Sequence, residues 1–230
     1  MDIVYLVKDC TENEELTYSL RSLVNIPHDR VFIVGGCPRN IDTSKVIHFP
    51  ILQTDTKYKN TTNNLKLICN QDNLSEDFIL FNDDFFILKP IQIEELNICR
   101  GTVREVLKEY KNKYGFNSYI EGMEQTSIFL NDLGIKDVLS YELHIPMVMN
   151  KTNVLKMFSL PFIKCLNVLH KRTMYGNLFH KNSKPMKDVK VLDFNTKVEY
   201  DKFLSCSDSG WFIICKYIRN LFPDKSIYEK

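Results

Sequence analysis

Short apolar runs mark three strands in the first fifty residues. Residues 3–7 and 31–34 are rich in β-branched and aliphatic side chains, and residues 46–49 form a third, shorter candidate. Gly35 and Gly36 close the second run. Segments of helical periodicity separate the runs, and this alternation is typical of an α/β sheet.

The helices are predicted from apolar residues that recur every three or four positions. Leu16, Leu20 and Leu23 follow the capping residue Asn13 in this way. A second helix is predicted over residues 61–70, with Thr61 or Thr62 as its cap. The later patterns predict helices over residues 100–114, 125–133, 162–169 and 212–221.

One apolar run, FILFNDDFFIL at residues 78–88, is interrupted by Asn82, Asp83 and Asp84. Its first four residues are all apolar and do not alternate with polar ones, as is typical of a central strand covered on both faces. The three polar residues are therefore expected at the carboxyl end of that strand, where open α/β sheets bind ligands.

Asp83 and Asp84 suit a divalent cation, because Mg²⁺ and Mn²⁺ take oxygen ligands and often only one or two protein carboxylates. The alternative is a turn facing water, since Asn-Asp is favourable turn chemistry. The apolar residues on both sides favour the metal, because two buried acids without a cation cost several kcal/mol.

The composition limits the class of protein but does not identify a binding partner. At 230 residues with 44% hydrophobic residues, the chain can bury one full core, and its net charge of +1 gives no global attraction to nucleic acid. No apolar run approaches the roughly 18 residues of a membrane span, and the N-terminus lacks signal-peptide features. Seven scattered cysteines without a Cys-x-x-Cys pair indicate reduced thiols. We therefore expect a cytoplasmic protein without a membrane span.

Glu142 and His144 are candidate catalytic residues in the second half. Two positions apart on a predicted extended strand, they share one face. The carboxylate would orient the imidazole, and His144 would accept the proton of an acceptor hydroxyl. His144 is also a candidate metal ligand, and the alternative is a structural histidine.

Arg172 and Asp208 each have two interpretations. Arg172, in KRTMYGN, is a candidate phosphate ligand or part of a solvated basic cluster that ends the predicted 162–169 helix. Asp208, in FLSCSDSGW, lies where Ser207 or Asp208 caps a helix. Because a helix N-terminus attracts anions, Asp208 is also a candidate ligand or base beside a phosphate.

The chain contains, in order, the blocks DIVY, ELTYSLRSL, VFIVGG, TTNNLKL and FILFNDDFFILKPI, and later YELHIPMVMNK, KRTMYGN and FLSCSDSGW. Together these blocks resemble the Stealth-type sugar-phosphate transferases and related phage-encoded proteins. Those in turn resemble nucleotide-sugar glycosyltransferases of GT-A type. The resemblance implies one domain over residues 1–230, with a GT-A-like mixed sheet flanked by helices, a helical insertion and C-terminal helices. Residues 1–90 would bind the nucleotide-sugar and metal, and residues 91–230 the acceptor and catalytic groups.

The resemblance also implies roles for individual residues. Asp83 and Asp84 would be the DXD-like metal ligands. The donor contacts would be Arg21, Asn63, Asn64 and Asn82. The first block departs from the pattern, because DIVY continues into Leu-Val-Lys-Asp instead of a Trp-Val-Asp segment. Asp9 would then hold the nucleotide from a shifted register.

Together these features predict a glycosyltransferase that uses Mn²⁺ or Mg²⁺ and a nucleotide-sugar, with a UDP-sugar favoured. The acceptor would be a glycan or, for a phage protein in its host's cytoplasm, a hydroxymethylated base in DNA. Two alternatives remain: transfer of a sugar 1-phosphate, as in Stealth-type proteins, and a non-catalytic module that binds a nucleotide-sugar or glycan.

Overall fold

The computed structural model describes residues 1–161 and 163–230, which form strands and α-helices in alternation through the first half. The strands are β1 (Asp2–Val7), β2 (Val31–Gly35), β3 (Ile47–Phe49), β4 (Asp77–Phe81), β5 (Phe85–Ile87), β6 (Ile98–Cys99), β7 (Met147–Asn150), β8 (Lys184–Pro185), β9 (Lys190–Val191) and β10 (Phe203–Cys206). The helices are α1 (Glu14–Ser22), α2 (Lys57–Cys69), α3 (Val103–Tyr114), α4 (Ser118–Asp132), α5 (Lys151–Ser159), α6 (Lys171–Phe179) and α7 (Asp208–Leu221). No helix of these described residues is long and apolar enough to cross a bilayer.

The main sheet has five strands in the order β3-β2-β1-β4-β7. The first four are parallel, and β7 runs antiparallel to β4. The predicted α/β class with a mixed sheet is confirmed. Because β7 comes from the second half of the sequence, both halves build the same sheet.

Strand β4 is covered on both faces, as its unalternating sequence predicts. Phe78 and Leu80 pack into one buried cluster with residues of α2, α4 and α5. Ile79 and Phe81 pack into the other, with the apolar face of α1. All four side chains are at most 1% exposed. The carboxyl end of this strand is therefore held rigidly from both sides.

The apolar run 78–88 is divided between two sheets. After β4 the chain turns at Asn82, whose carbonyl accepts a hydrogen bond from the backbone N–H of Phe85. Strand β5 then leaves the main sheet and pairs antiparallel with β10 in a three-stranded sheet, β5-β10-β9. Asp83 and Asp84 thus lie at the corner between two buried strands, which explains why charges interrupt an apolar run.

Several predicted boundaries are wrong. Helix α2 begins earlier than predicted, at Lys57, because Thr56 is its cap. Helix α4 likewise begins at Ser118, after its cap Asn117. The predicted 162–169 helix is a single 3₁₀ turn at Ile163–Cys165, and Phe162 lies outside the described residues.

Candidate active site

The acidic corner between β4 and β5 is held by groups from three other elements. Asn13 caps α1 by accepting the N–H of Leu16 at 2.8 Å, and its amide donates to Asp83 Oδ2 at 2.6 Å. Asp84 accepts hydrogen bonds from Lys190 Nζ at 2.9 Å and Ser205 Oγ at 3.2 Å. Asp84 is only 8% exposed, so a simple turn facing water does not describe this corner.

Charge accumulates at this corner. Burial and the charge of Asp84 raise the pKa of Asp83 to about 6. Burial, followed by the charges of Asp83 and Asp84, raises the pKa of Glu15 to about 7. The ammonium of Lys190 neutralises part of this charge through its bond to Asp84. Because burial and mutual repulsion disfavour the ionised forms of these carboxylates, binding of a further cation would stabilise them.

The carboxylates of the acidic corner fit a hard divalent cation. Within residues 1–161 and 163–230, no group of three or more His, Cys, Asp or Glu side chains is arranged to hold a metal ion. Asp83, Asp84 and His144 do not form such a group, so their joint role as ligands stays a prediction. The two aspartates still supply the oxygen atoms that Mg²⁺ or Mn²⁺ needs when substrate phosphates and water complete the coordination.

His144 is held by Asp188, a residue that the sequence did not indicate. Its Nδ1 lies 3.0 and 2.9 Å from the two carboxylate oxygens of Asp188, and its backbone N–H donates to Asp188 Oδ1 at 3.2 Å. Burial opposes the charge of Asp188, but His144 and Arg100 outweigh it and lower the pKa of Asp188 to about 2. Since that carboxylate is ionised and accepts, the proton of a neutral imidazole belongs on Nδ1, which leaves Nε2 free to accept another.

The predicted pairing of Glu142 with His144 is wrong. Residues 141–146 form no strand, the chain bends at His144, and among the described residues no hydrogen bond joins the two side chains, although both line one cavity. Glu142 instead accepts the backbone N–H of Thr173 at 3.2 Å and lies 3.7 Å from His170 Nδ1. It therefore stabilises the N-terminal turn of α6.

A cavity of about 250 Å³ brings four of the predicted residues together. We call it the inner basin, and its polar lining includes Asn82, Glu142, His144, Arg172 and Lys171. The ammonium of Lys171 donates to Thr61 Oγ1 at 2.9 Å, and burial lowers the pKa of Lys171 to about 8. The inner basin opens at the carboxyl ends of β1 and β4, as expected for an α/β sheet.

Burial excludes a solvated basic cluster at Arg172, and its predicted contact with phosphate stays a prediction. Arg172 is only 7% exposed, so it does not belong to a solvated basic cluster, and burial lowers its pKa to about 10. Its guanidinium donates to the carbonyls of Ile145 at 2.6 Å and of Leu143 and Leu80 at 3.4 Å. The side chain thus joins β4 to the segment that carries His144. These hydrogen bonds would compete with hydrogen bonds to a phosphate.

A second cavity, of about 770 Å³, adjoins the inner basin. We call it the tyrosine groove, after its lining residues Tyr58, Tyr110, Tyr114 and Tyr119. Both cavities share Lys57, Tyr58, Tyr119 and His144 in their linings, so they are two parts of one cleft. His144 lies at their junction. Lys190, bound to Asp84, also lines the tyrosine groove and places the acidic corner beside it.

The remaining predicted residues lie in varied positions. Asp9 is exposed in the loop that follows β1, and Asn64 is buried in α2. Asn63 is exposed and lines a separate depression beside α2. Ser207 caps α7 by accepting the N–H of Gly210 at 3.1 Å, while Asp208 is exposed and helps to raise the pKa of Glu15. The roles of Asp9 and Asp208 therefore stay predictions, and Asn63 lines a depression other than the inner basin.

Arg21 does not fit its predicted contact with the donor. It occupies the last turn of α1 and makes two hydrogen bonds to Glu229, at 2.8 and 2.7 Å. It also donates to the carbonyls of Phe222 at 2.9 Å and Pro223 at 3.1 Å. Its hydrogen bonds anchor the C-terminal segment to α1, so its role is structural.

We expect Arg21→Ala to destabilise the fold without changing donor affinity. Truncation leaves the carboxylate of Glu229, which is 5% exposed, without its guanidinium partner. Loss of charge-assisted bonds in such a place costs about 2–4 kcal/mol. Chemical denaturation measures the loss, and a donor affinity that fell in parallel at a temperature where the variant is folded would contradict the structural role.

Sequence reasoning missed Asp188, Lys190 and Glu15. The first two lie in a lysine-rich stretch between the blocks KRTMYGN and FLSCSDSGW, where no motif marks them. Glu15 follows the cap of α1 and resembles an ordinary acid in a first helical turn. Only tertiary packing brings them to the cleft.

No protein-family model matches the chain, and no curated protein matches its sequence. Among solved structures, the galactosyltransferase LgtC in complex with donor and acceptor sugar analogs is similar, with a TM-score of 0.52 and 11% identity over 98% of this chain and 96% of that one. The fold is GT-A-like. An active-site mutant of LgtC gives a TM-score of 0.45 and 10% identity over 100% of this chain and 85% of that one. The resemblance to Stealth-type and phage proteins stays a prediction.

Proposed function

We propose that the protein transfers a sugar from a nucleotide-sugar to an acceptor hydroxyl. The proposal is carried by one observation: the pair His144–Asp188 lines a cleft of a GT-A-like fold that the acidic corner at Asp83 and Asp84 adjoins through Asn82 and Lys190. A site with carboxylates for a cation at one side and an oriented imidazole at the other suits group transfer from a diphosphate.

The acidic corner would hold the donor. Asp83 and Asp84 would bind Mn²⁺ or Mg²⁺, which when bound neutralises the negative charge of a leaving diphosphate. Asn82 lines the inner basin next to them and can donate to a sugar or phosphate oxygen. The ammonium of Lys171 adds positive charge to the same basin.

His144 would act as the base. With its Nδ1 proton bonded to Asp188, Nε2 accepts the proton of the acceptor hydroxyl as that oxygen attacks the anomeric carbon. The bond from the anomeric carbon to the donor phosphate breaks, and the nucleoside diphosphate leaves. Asp188 stabilises the imidazolium that forms and keeps the ring oriented.

Donor turnover tests this function. Purified protein is incubated with UDP-, GDP-, CDP- and dTDP-sugars together with Mn²⁺, Mg²⁺ or EDTA, and the released nucleotide is identified by mass spectrometry. We expect metal-dependent release of a nucleoside diphosphate, with a UDP-sugar the favoured donor. Release of the monophosphate would replace glycosyl transfer with sugar-phosphate transfer. No release, and no thermal shift with any donor, would favour a non-catalytic binding module.

A further inference from the structure

Four tyrosines follow the tyrosine groove from His144 to its open end. The ring centroids of Tyr58 and Tyr119 are 5.9 Å apart, those of Tyr119 and Tyr110 6.2 Å, and those of Tyr110 and Tyr114 5.6 Å. Tyr58 and Tyr119 also border the inner basin, whereas Tyr114 is 48% exposed. The run therefore begins beside the proposed base and ends in solvent.

Such a run offers stacking surfaces on the ring faces opposite Arg100, which lies 4.8 Å from the centroid of Tyr110, and Lys113, which lies 5.2 Å from that of Tyr114. A tyrosine ring has a flat apolar face with negative quadrupole charge and a hydroxyl at its edge. A pyranose matches this surface, because its C–H face is apolar and slightly positive while its hydroxyls project sideways toward polar groups. Nucleobases also stack on aromatic rings, so stacking alone does not decide between a saccharide and a nucleic acid.

The charge of the tyrosine groove separates these two ligands. Among its described lining residues, four cationic side chains face three acidic ones. Arg100 is paired with Glu109 and Asp188, and Lys190 is bonded to Asp84, so two of the four cations are already neutralised. A nucleic acid needs an excess of available Lys and Arg to replace its counterions. The tyrosine groove lacks that excess among these residues and suits an uncharged ligand.

We propose that the tyrosine groove binds the acceptor as an uncharged oligosaccharide. Its sugar rings stack along Tyr119, Tyr110 and Tyr114, and the reacting hydroxyl lies at His144. Helix α3, the start of α4 and the loop after Asp188 build most of the groove, which lies beside the acidic corner that would hold the donor. The inference rests on the proposed function, since it names the acceptor class for that reaction.

Direct binding without a donor tests the inference. Saturation-transfer NMR and calorimetry measure the binding of lactose, maltotriose, diacetylchitobiose, a hyaluronan oligosaccharide and a short single-stranded DNA. The variants are Tyr114→Ala, which removes an exposed ring, and Tyr114→Phe, which keeps it. Tyr200→Ala is the matched control, because Tyr200 is similarly exposed, at 41%, and stacks with Tyr217 instead.

We expect at least one neutral saccharide to bind, with Kd about tenfold weaker in Tyr114→Ala and little changed in Tyr114→Phe and Tyr200→Ala. Equal binding by all variants, or no binding of any neutral saccharide, overturns the inference. Binding of DNA or hyaluronan alone, weakened by Tyr114→Ala, overturns it in favour of an anionic acceptor. Donor turnover is measured on the same samples. Metal-dependent nucleotide release without saccharide binding leaves the proposed function intact, whereas saccharide binding without any donor binding overturns transfer but keeps the groove as a saccharide site.

Discussion

Asp83→Asn is expected to abolish metal-dependent donor binding and, in the absence of metal, to stabilise the fold. The substitution removes one of the two carboxylates that would hold the cation, while its amide oxygen can still accept the hydrogen bond from Asn13. Ligand loss and a gain in stability together distinguish a metal site from a structural turn, because loss of a needed turn residue lowers stability.

The gain in stability follows from the raised pKa of Asp83, which is about 6 in the folded protein and 3.8 in the unfolded chain. Between these two values the folded protein binds more protons than the unfolded chain, so stability falls as the pH rises through this range and stays lower above it. Asn carries no charge and escapes this penalty, which is on the order of 3 kcal/mol near neutral pH. At a pH below the unfolded value the wild type and Asp83→Asn should be equally stable.

Thermal unfolding at acidic and neutral pH, with EDTA or with Mn²⁺ and a UDP-sugar, measures both effects. Asp132→Asn is the control, because Asp132 is exposed at the end of α4. We expect Mn²⁺ and donor to raise the Tm of wild type and control only. An Asp83→Asn protein that keeps the full shift, or that is less stable at neutral pH, would show that Asp83 serves the turn.

Local sequence was sufficient for the parallel strands of the main sheet but not for β7. Strands β1, β2 and β4 are short apolar runs between turn residues, and each lies where its run predicts. The start of α2 was missed because its first turns, from Lys57 to Thr62, are polar and carry no apolar periodicity. In these turns Tyr58 and Thr61 line the cleft instead of packing into the apolar core. A pattern of apolar residues does not reveal side chains that line a cleft.

The candidate site was predictable only where it is local. Asp83 and Asp84 interrupt an apolar run, so the sequence itself shows that charge meets the core. His144 and Asp188 are 44 residues apart, and only the tertiary fold pairs them. Arg21 and Arg172 show the converse, because a guanidinium that donates to backbone carbonyls leaves no mark in the sequence that separates it from one that binds phosphate.

Asp188→Asn is expected to lower kcat by about 10²–10⁴ with little change in the KM for the donor. The carboxylate of Asp188 keeps the proton of a neutral His144 on Nδ1 and compensates the charge that the ring gains when Nε2 accepts a proton. An amide turned with its N–H₂ toward the ring favours the opposite tautomer, in which Nε2 already carries a proton. The donor KM should hold because the carboxylate of Asp188 is bonded to His144 and Arg100, and not to the aspartates that would hold the donor's metal.

A double-mutant cycle separates positioning from mere stability. Asp188 also bonds Arg100, so Asp188→Asn should lose some stability, and kinetics must be measured where its melting curve shows a folded protein. Asp201→Asn is the control, since Asp201 is 80% exposed and pairs only with Lys89 in the described structure. If Asp188 acts through the imidazole, Asp188→Asn should cost almost nothing further in a His144→Ala background, because residues that act as a unit are not additive. Additive losses in kcat would mean that Asp188 serves catalysis by a route independent of His144.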